Sequence, residues 1–412
     1  LSQALSSGES ITVTATRAHR WWRVPRARLL INGAEHPETR LVSFSTDRTR
    51  YARSDTAQVS LAVDRSALAK LSRPYWFDPA SPTDGSALAD IEVAIEMRDE
   101  AVSGAQWEQV FAGIVDAVNW GPDQTTLDIE CRDYLAKLLD LRVQDSWMNK
   151  TGVELITTMI EAAGLTADVS FPAGMTGQFW QIEHKRTSGS SHHRFQTAYD
   201  LARHIADIAG CDLYADGRTI ICAPYPVPGS ASAPTTHHIH YSDPGPLTSA
   251  SGGPITVGGT GLRLRRNFQV AKGVVVHAVS WDSRQRIKAQ CFFSALGKSP
   301  TAADSNGTLY TLRLPPNMPQ ADVEARAQDY YQKIVAHDRT VTIEIPGRIG
   351  LAPRHFGVIA GTNSTFDVSD SAPYTIDAVQ TQYSLDQMFT QNMTMRSREA
   401  SDGSNTDGGD DD

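Results

Sequence analysis

Leu127-Asp128-Ile129-Glu130-Cys131-Arg132-Asp133 alternates apolar and polar residues, and Tyr134-Leu135-Ala136-Lys137-Leu138-Leu139-Asp140-Leu141, which follows directly, does not. Period two places Leu127, Ile129 and Cys131 on one face of a strand. From Asp133 onward Leu135, Leu138 and Leu139 fall on one side of a short helix over 133–141. At this point the chain passes from sheet to helix, and the passage divides it.

Upstream everything reads as strand. Ile11, Val13 and Ala15 alternate with threonines, Val59, Leu61 and Val63 with Ser60 and Ala62, and Ile91, Val93, Ile95 and Met97 with Glu92, Ala94 and Glu96. Turn chemistry fills the gaps: Asn32-Gly33, Ser81-Pro82-Thr83-Asp84-Gly85 and Gly121-Pro122-Asp123. Several antiparallel strands within residues 1–135 predict a small barrel or sandwich.

Downstream, residues 136–224 predict an α+β unit. Thr151 and Glu154 form a capping box that opens a helix to about Ala163, with Gly164 as its stop and Val153, Ile156 and Ile160 as its stripe. Thr197 and Asp200 open a second helix, carrying Leu201, Ile205 and Ile208 and stopping at Gly210. Asp216-Gly217 between two apolar runs predicts a hairpin, and Pro224, Pro226 and Pro228 mark a boundary.

Residues 225–400 return to strand. The composition is loop-like to about 270. Val274, Val276 and Ala278 then share a face, Asn306-Gly307 marks a turn, and a helix over 321–336 carries Val323, Ala327, Tyr330 and Ile334. Val341, Ile343 and Ile345 alternate until Pro346-Gly347. Residues 374–379 and 388–396 read as a final hairpin with Phe389, Met393 and Met395 on its buried face. Residues 401–412 lack an apolar anchor and predict a flexible acidic tail. No repeat at a fixed period is visible.

The chain has 412 residues, enough for two to four domains at roughly 100–200 residues each. Its 38 Lys and Arg against 47 Asp and Glu leave a net charge of −9, which disfavours a surface that grips nucleic acid throughout. No apolar run of about 18 residues suggests a membrane-spanning segment. The first ten residues carry no charged stretch followed by an apolar one, so no secretory signal is expected. Cys131, Cys211, Cys222 and Cys291 are widely spaced without a CxxC pair. Three of them fall in apolar alternating runs and read as buried free thiols, which fits folding in a reducing compartment.

Chemistry-bearing motifs are sparse. His238 and His240 of the run His237-His238-Ile239-His240 would share a strand face and begin a metal site, but no third ligand follows, and exposed edge histidines are the favoured reading. His192-His193 lies in a Ser-rich stretch. Gly258-Gly259-Thr260-Gly261 leads into strand-like Leu262-Arg263-Leu264-Arg265 rather than into GK[ST] and a helix, so it is read as a turn. No GxSxG elbow is present, and an acid pair cannot be singled out among so many carboxylates. A triad could be composed from Ser191, His192 and Asp200, yet closeness in sequence is not triad geometry. No catalytic residue, cofactor or metal is assigned. One basic stretch stands out: Arg17, Arg20, Arg23, Arg26 and Arg28 interleave with His19, Trp21 and Trp22. Arginine with tryptophan is the composition of an interface hot spot. Arg17, Arg20, Trp21, Trp22, Arg23 and Arg26 are therefore the candidate interface to a partner protein.

The order of these elements resembles one family. Phe111-Ala112-Gly113-Ile114-Val115 followed by residues 127–133 is similar to the F-x-G-x-V … L-x-x-x-C-x-D run of phage tail baseplate hub proteins, the late control D family, a run shared by the hub portion of type VI secretion spike proteins. The helix and hairpin over 199–224, the Val-rich strand over 274–282, and the closing strands over 374–384 and 390–396 resemble the same family in the same order. The resemblance covers about 100–400 and is strongest at 111–223. The first 50 residues and 225–270 depart from it, and 401–412 hold neither a lysozyme domain nor a β-helical spike.

The resemblance implies a mainly β chain of two small antiparallel β-barrels flanking a helix-containing domain. It also implies a homotrimeric, pseudo-sixfold ring in the baseplate of a virion tail, assembled in the bacterial cytoplasm. Such a hub adapts a hexameric tail tube to a trimeric central spike. Its partners would be a tail tube or distal tail protein, the spike and the tape measure protein, with DNA passing through the channel unbound. That role needs interfaces and no active site. The competing readings are a tail-associated peptidoglycan or carbohydrate hydrolase, which should need a defined acid pair, and a receptor-binding β protein, which should follow a repetitive shaft.

Overall fold

The computed structural model describes residues 24–35, 39–63, 90–120, 125–143, 151–171, 196–230, 233–241, 255–257, 261–271, 273–282, 287–301, 307–314, 318–386 and 388–397. The strand expected at 11–15, the turns at 81–85 and 121–123, His192-His193, Gly258-Gly259-Thr260, Asn306 and the tail at 401–412 lie outside the described residues.

The N-terminal module starts with β1 (Pro25–Ile31) and β2 (Ala34–Glu35). Asn32 and Gly33 join them with φ of 49° and 79°, the left-handed pair that a two-residue hairpin between twisted strands requires. The remaining strands are β3 (Thr39–Thr49), β4 (Thr56–Val63), β5 (Glu92–Asp99), β6 (Glu108–Trp120) and β7 (Thr126–Asp133). They run β3-β4-β7-β6-β5-β1 with every neighbour antiparallel. Leu127, Ile129 and Cys131 point inward while Asp128 and Glu130 are exposed, as period two dictates.

Helices start at the predicted change of period. α1 (Leu135–Asp140) buries Leu135 and Leu138. Thr151 and Glu154 complete a reciprocal capping box at the start of α2 (Gly152–Ala162), whose buried stripe is Leu155, Ile156, Met159 and Ile160, with Val153 at its margin. After β8 (Thr166–Val169), Thr197 caps α3 (Ala198–Ala209), and Gly210 ends it at φ 68°. Leu201 and Ile205 are buried; the side chain of Ile208 lies outside the description. β9 (Cys211–Asp216) and β10 (Thr219–Pro224) form the predicted hairpin, with β8 parallel to β10. The helices and this small sheet share a core that reaches Ile114 of β6, so the α+β unit is packed onto the first sheet.

The C-terminal part contains β11 (Thr236–Tyr241), β12 (Ile255–Val257), β13 (Leu262–Arg266), α4 (Phe268–Ala271), β14 (Val274–Asp282), β15 (Ile287–Ser294), β16 (Gly297–Ser299), β17 (Thr308–Arg313), α5 (Gln320–Val335), β18 (Arg339–Pro346), β19 (Phe356–Ala360), β20 (Tyr374–Ser384) and β21 (Met388–Ser397). Strands β16-β15-β14-β17 make a separate sheet under α5, which buries Val323, Ala327 and Tyr331 against Val274, Val276, Ala278 and Cys291. Tyr330 and Ile334 are only partly buried at the edge of that contact. Strands β13-β18-β21-β20 run antiparallel, and β19, β11 and β12 continue from β20. Phe389, Met393 and Met395 are buried on β21, as their alternation predicts.

The chain is mainly β with an α+β insert. The two barrels, however, are corrected to two open modules of one continuous sheet, with no closed barrel among the described residues. β3 pairs with β4 on one edge and with β20 on the other, so β1 lies beside β3 without a ladder. β20 likewise uses both edges, for β21 on one side and for β3 and β19 on the other. A strand has only two hydrogen-bonding edges, and the β3–β20 pairing occupies the edge of β3 that β1 would need to close the first module; in the second module the end strands β12 and β13 are not paired with each other among the described residues. The result is one 14-stranded sheet crossing both modules.

Candidate interface surfaces

The Phe-x-Gly and Cys-x-Asp runs meet at the base of the first sheet. Gly113 lies opposite Asp133 in the β6–β7 ladder, and a Cβ there would collide with the carbonyl of Arg132. The neighbouring Asp133 is 5% exposed. It accepts from the Ser54 hydroxyl at 2.7 Å and from the Leu135 N–H at 3.0 Å, tying the sheet to the first turn of α1. Burial, and then the nearby Asp55 charge, push its carboxyl up to about 7.

A buried ionic junction joins all three parts of the chain. Asp377 sits at the bulge where the β20 register shifts between Ile376 and Ala378, and a bulge residue is free to re-aim its side chain. Asp212, at the start of β9, meets Arg354 at 2.8 Å, Arg50 at 3.3 Å and Arg203 at 3.5 Å. Arg50 also reaches Asp377 at 3.4 Å, as does Arg396. The guanidinium groups of Arg354, Arg50 and Arg396 lie over the rings of Tyr214, Tyr225 and Tyr51. Burial opposes ionisation of Asp212, but Arg354, Arg50 and Arg203 together hold its carboxyl below the usual value. At Asp377 burial outweighs Arg50 and Arg396, and the carboxyl is raised. Sequence reading missed this cluster, since its members come from distant strands and form no local pattern.

A polar face of the joined sheet holds an open trough of about 850 Å³ across the β3–β20 seam. Ser43, Ser45, Gln58, Ser60, Gln382 and Thr390 line it with hydroxyl and amide groups. Asp128, Glu130 and Glu344 add carboxylates, and among the described residues no Lys or Arg lines it.

Of the candidate interface, Arg17, Arg20, Trp21, Trp22 and Arg23 lie outside the described residues. Arg26 stands on β1, exposed, and donates to Glu100 at 3.1 Å, a carboxylate that Arg98 also holds at 2.8 Å. Next to it Arg28 pairs with Glu96 at 2.6 Å and stacks on Trp107, whose ring Arg98 also approaches.

His238 and His240 are exposed on β11, whereas His237 is buried. Its Nε2 lies 3.0 Å from Nδ1 of His355, and the rings stack with centroids 5.3 Å apart. Burial, then the Arg348 charge, push His237 down to about 3; burial and Arg48 push His355 down to about 4. Both are neutral near pH 7. Among the described residues no three His, Cys, Asp or Glu side chains gather as a metal site would need. The four cysteines are free and buried.

No family model matches the chain, and no curated protein matches it in sequence. Solved structures do match. A tail protein from Neisseria meningitidis MC58 superposes with a TM-score of 0.57 at 12% identity, over 90% of this chain and 96% of its own. The 43 kDa tail protein of prophage MuSo2 from Shewanella oneidensis gives 0.54 at 15% identity, over 90% and 97%. A prophage tail protein from Listeria monocytogenes EGD-e gives 0.53 at 9% identity, over 90% and 94%. The chain therefore has a fold found in phage tail proteins.

Proposed function

We propose that this chain is a structural hub of a phage tail or related injection device, of the late control D type, and acts as a homotrimer rather than as an enzyme. The observation that carries the reading is the joined sheet. Each chain presents two mainly antiparallel sheet modules side by side, so three chains present six, the arithmetic of an adaptor between a hexameric tube and a trimeric spike. The shared fold with tail proteins, over nine-tenths of the chain, supports the same reading.

In this assembly the cation-free trough faces the channel. Phosphate is held by Lys and Arg through counterion release, and a wall of hydroxyls, amides and carboxylates offers none. The Arg and Trp stretch at 17–26 faces a neighbouring tail protein. The partners are a tail tube or distal tail protein, the central spike and the tape measure protein, in a virion tail assembled in the host cytoplasm. The domains are 1–135, 136–224 and 225–400, followed by the tail at 401–412. Among the described residues no helix is long and apolar enough to cross a membrane.

The test is location and stoichiometry. Gold labelling of an affinity-tagged chain in particles from the prophage that encodes it should mark the tail tip, and the chain released from those tails should weigh three subunits. Label along the tail shaft, or on a fibre tip, would overturn the hub reading.

A further inference from the structure

The β16-β15-β14-β17 sheet has large apolar side chains on both faces, yet among the described residues only one face has a helix on it. Residues 274–281 of β14 read Val-Val-Val-His-Ala-Val-Ser-Trp, a near-continuous apolar run of the kind found in strands covered on both sides. One set of these side chains packs under α5. On the other face Trp281 is 52% exposed and Leu309 56% exposed. His277 and Phe292, opposite each other in the β14–β15 ladder, stack between them with centroids 4.2 Å apart. Two cations flank this patch: Lys288 pairs in register with Trp281, and Arg313 with Val279. Both are exposed, and among the described residues neither has an ion-pair partner. Among the described residues β17 pairs with β14 alone.

A second surface of the same chain has the opposite chemistry. The turn between β20 and β21 exposes Leu385 at 66%, and its neighbour Asp386 is a carboxylate without an ion-pair partner among the described residues. We infer that the outer face of the four-stranded sheet is the seat for a second copy of this chain, which brings its Leu385–Asp386 turn to Trp281 and Leu309 and its carboxylate to Arg313 or Lys288. The apolar patch with a cationic rim selects an apolar knob with an acidic rim, and a chain of net charge −9 supplies one. The two surfaces differ, so the contact is heterologous, the kind from which a threefold ring is built. The inference rests on the trimeric reading above and names the surface that makes the trimer.

The experiment is light scattering on the purified chain, with circular dichroism and a thermal melt on every variant. Wild type should give three chain masses. Arg313→Glu should give one, with the melt of the isolated subunit still cooperative, and adding Asp386→Arg should restore three. Trp281→Glu should also give one chain mass; if it fails to fold, the exposed Arg313 and Asp386 positions still decide. A trimeric wild type with Arg313→Glu and Trp281→Glu both trimeric sinks the surface assignment and leaves the trimer standing. A trimer in which those variants become protected only when a tail partner is added assigns the face to that partner and likewise overturns the inference. A monomeric wild type at micromolar concentration removes the trimeric reading itself.

Discussion

Gly113 is conspicuous at the scale of the residue because the β6–β7 ladder leaves no room above it. Any side chain meets the Arg132 carbonyl, which belongs to the ladder and cannot rotate away. Gly113→Ala should therefore cost at least the roughly 1–3 kcal/mol of an overpacked site, read as a drop in urea midpoint; an unchanged midpoint would show that the strands part without penalty. The buried titratable groups set the pH dependence. His237 and His355 have lowered pKa values, so the unfolded chain binds protons that the folded chain refuses, and stability falls as pH drops from about 6.5 toward 4. Asp133 works in the opposite sense. Its raised pKa gives stability that is full below the unfolded carboxyl value and is lost as pH rises toward about 7. Other buried groups act beside them: His204 and His337 are also lowered by burial, and Asp55, Asp329 and Asp377 are raised by it, so the two sets oppose each other. Substitution isolates the histidine pair: the stability at pH 4.5 relative to pH 6.5 should be higher in the double variant His237→Gln/His355→Gln than in wild type, by up to about 1.4 kcal/mol per pH unit for each histidine. Melting curves at the two pH values check it, and an equal pH dependence in the two proteins would assign the acid sensitivity elsewhere.

Elements are held together by two kinds of device, one local and one not. Thr151 with Glu154 and Thr197 with Asp200 each fix a helix start within four residues, and each was legible from spacing. The junction of Arg50, Asp212, Arg354 and Asp377 fastens β3, β9 and the C-terminal sheet to one another, and its partners stand 142 to 327 residues apart. Asp212 is 2% exposed and carries three arginines. Asp212→Asn leaves those cations short of a counter-charge in a buried site, so a loss of about 3–5 kcal/mol is expected. Thr151→Ala, which removes one exposed cap, should cost about 1 kcal/mol. Urea denaturation ranks the two; equal losses would mean that the junction is hydrated and holds little.

The joined sheet gives the whole molecule a face without cations in its trough, while net charge sits at −9 per chain. Purified protein should therefore leave short duplex DNA unshifted at physiological salt, and any retardation at about 50 mM salt should vanish by about 200 mM. A salt-resistant shift would remove the channel-facing role from this surface. Zymography on host cell walls should show no cleared band, and a band lost on changing one Asp or Glu would turn the reading from hub to hydrolase.

The sequence by itself determined many of the strands and helices and several of their ends, because alternation, capping pairs and left-handed glycine stops act within a few residues; it did not show β11, β12 and α4, which lie in the stretch to about 270 that reads as loop-like. Asn32-Gly33, Thr151 with Glu154, Gly210, and the inward set Leu127, Ile129 and Cys131 all stand where spacing puts them. Only the tertiary structure decided that β3 pairs with β20, that the first module therefore stays open, and that His237 rather than His238 is the buried histidine of its run. Strand partners are chosen by which edges remain free and which faces need covering once the whole chain has collapsed. The same holds for the ion pair of Arg50 with Asp377, for the pairing of His237 with His355, and for the face of Trp281 that the described residues leave uncovered. Each depends on residues more than 100 positions apart or on what is absent from one side of a sheet, and neither leaves a period in the sequence.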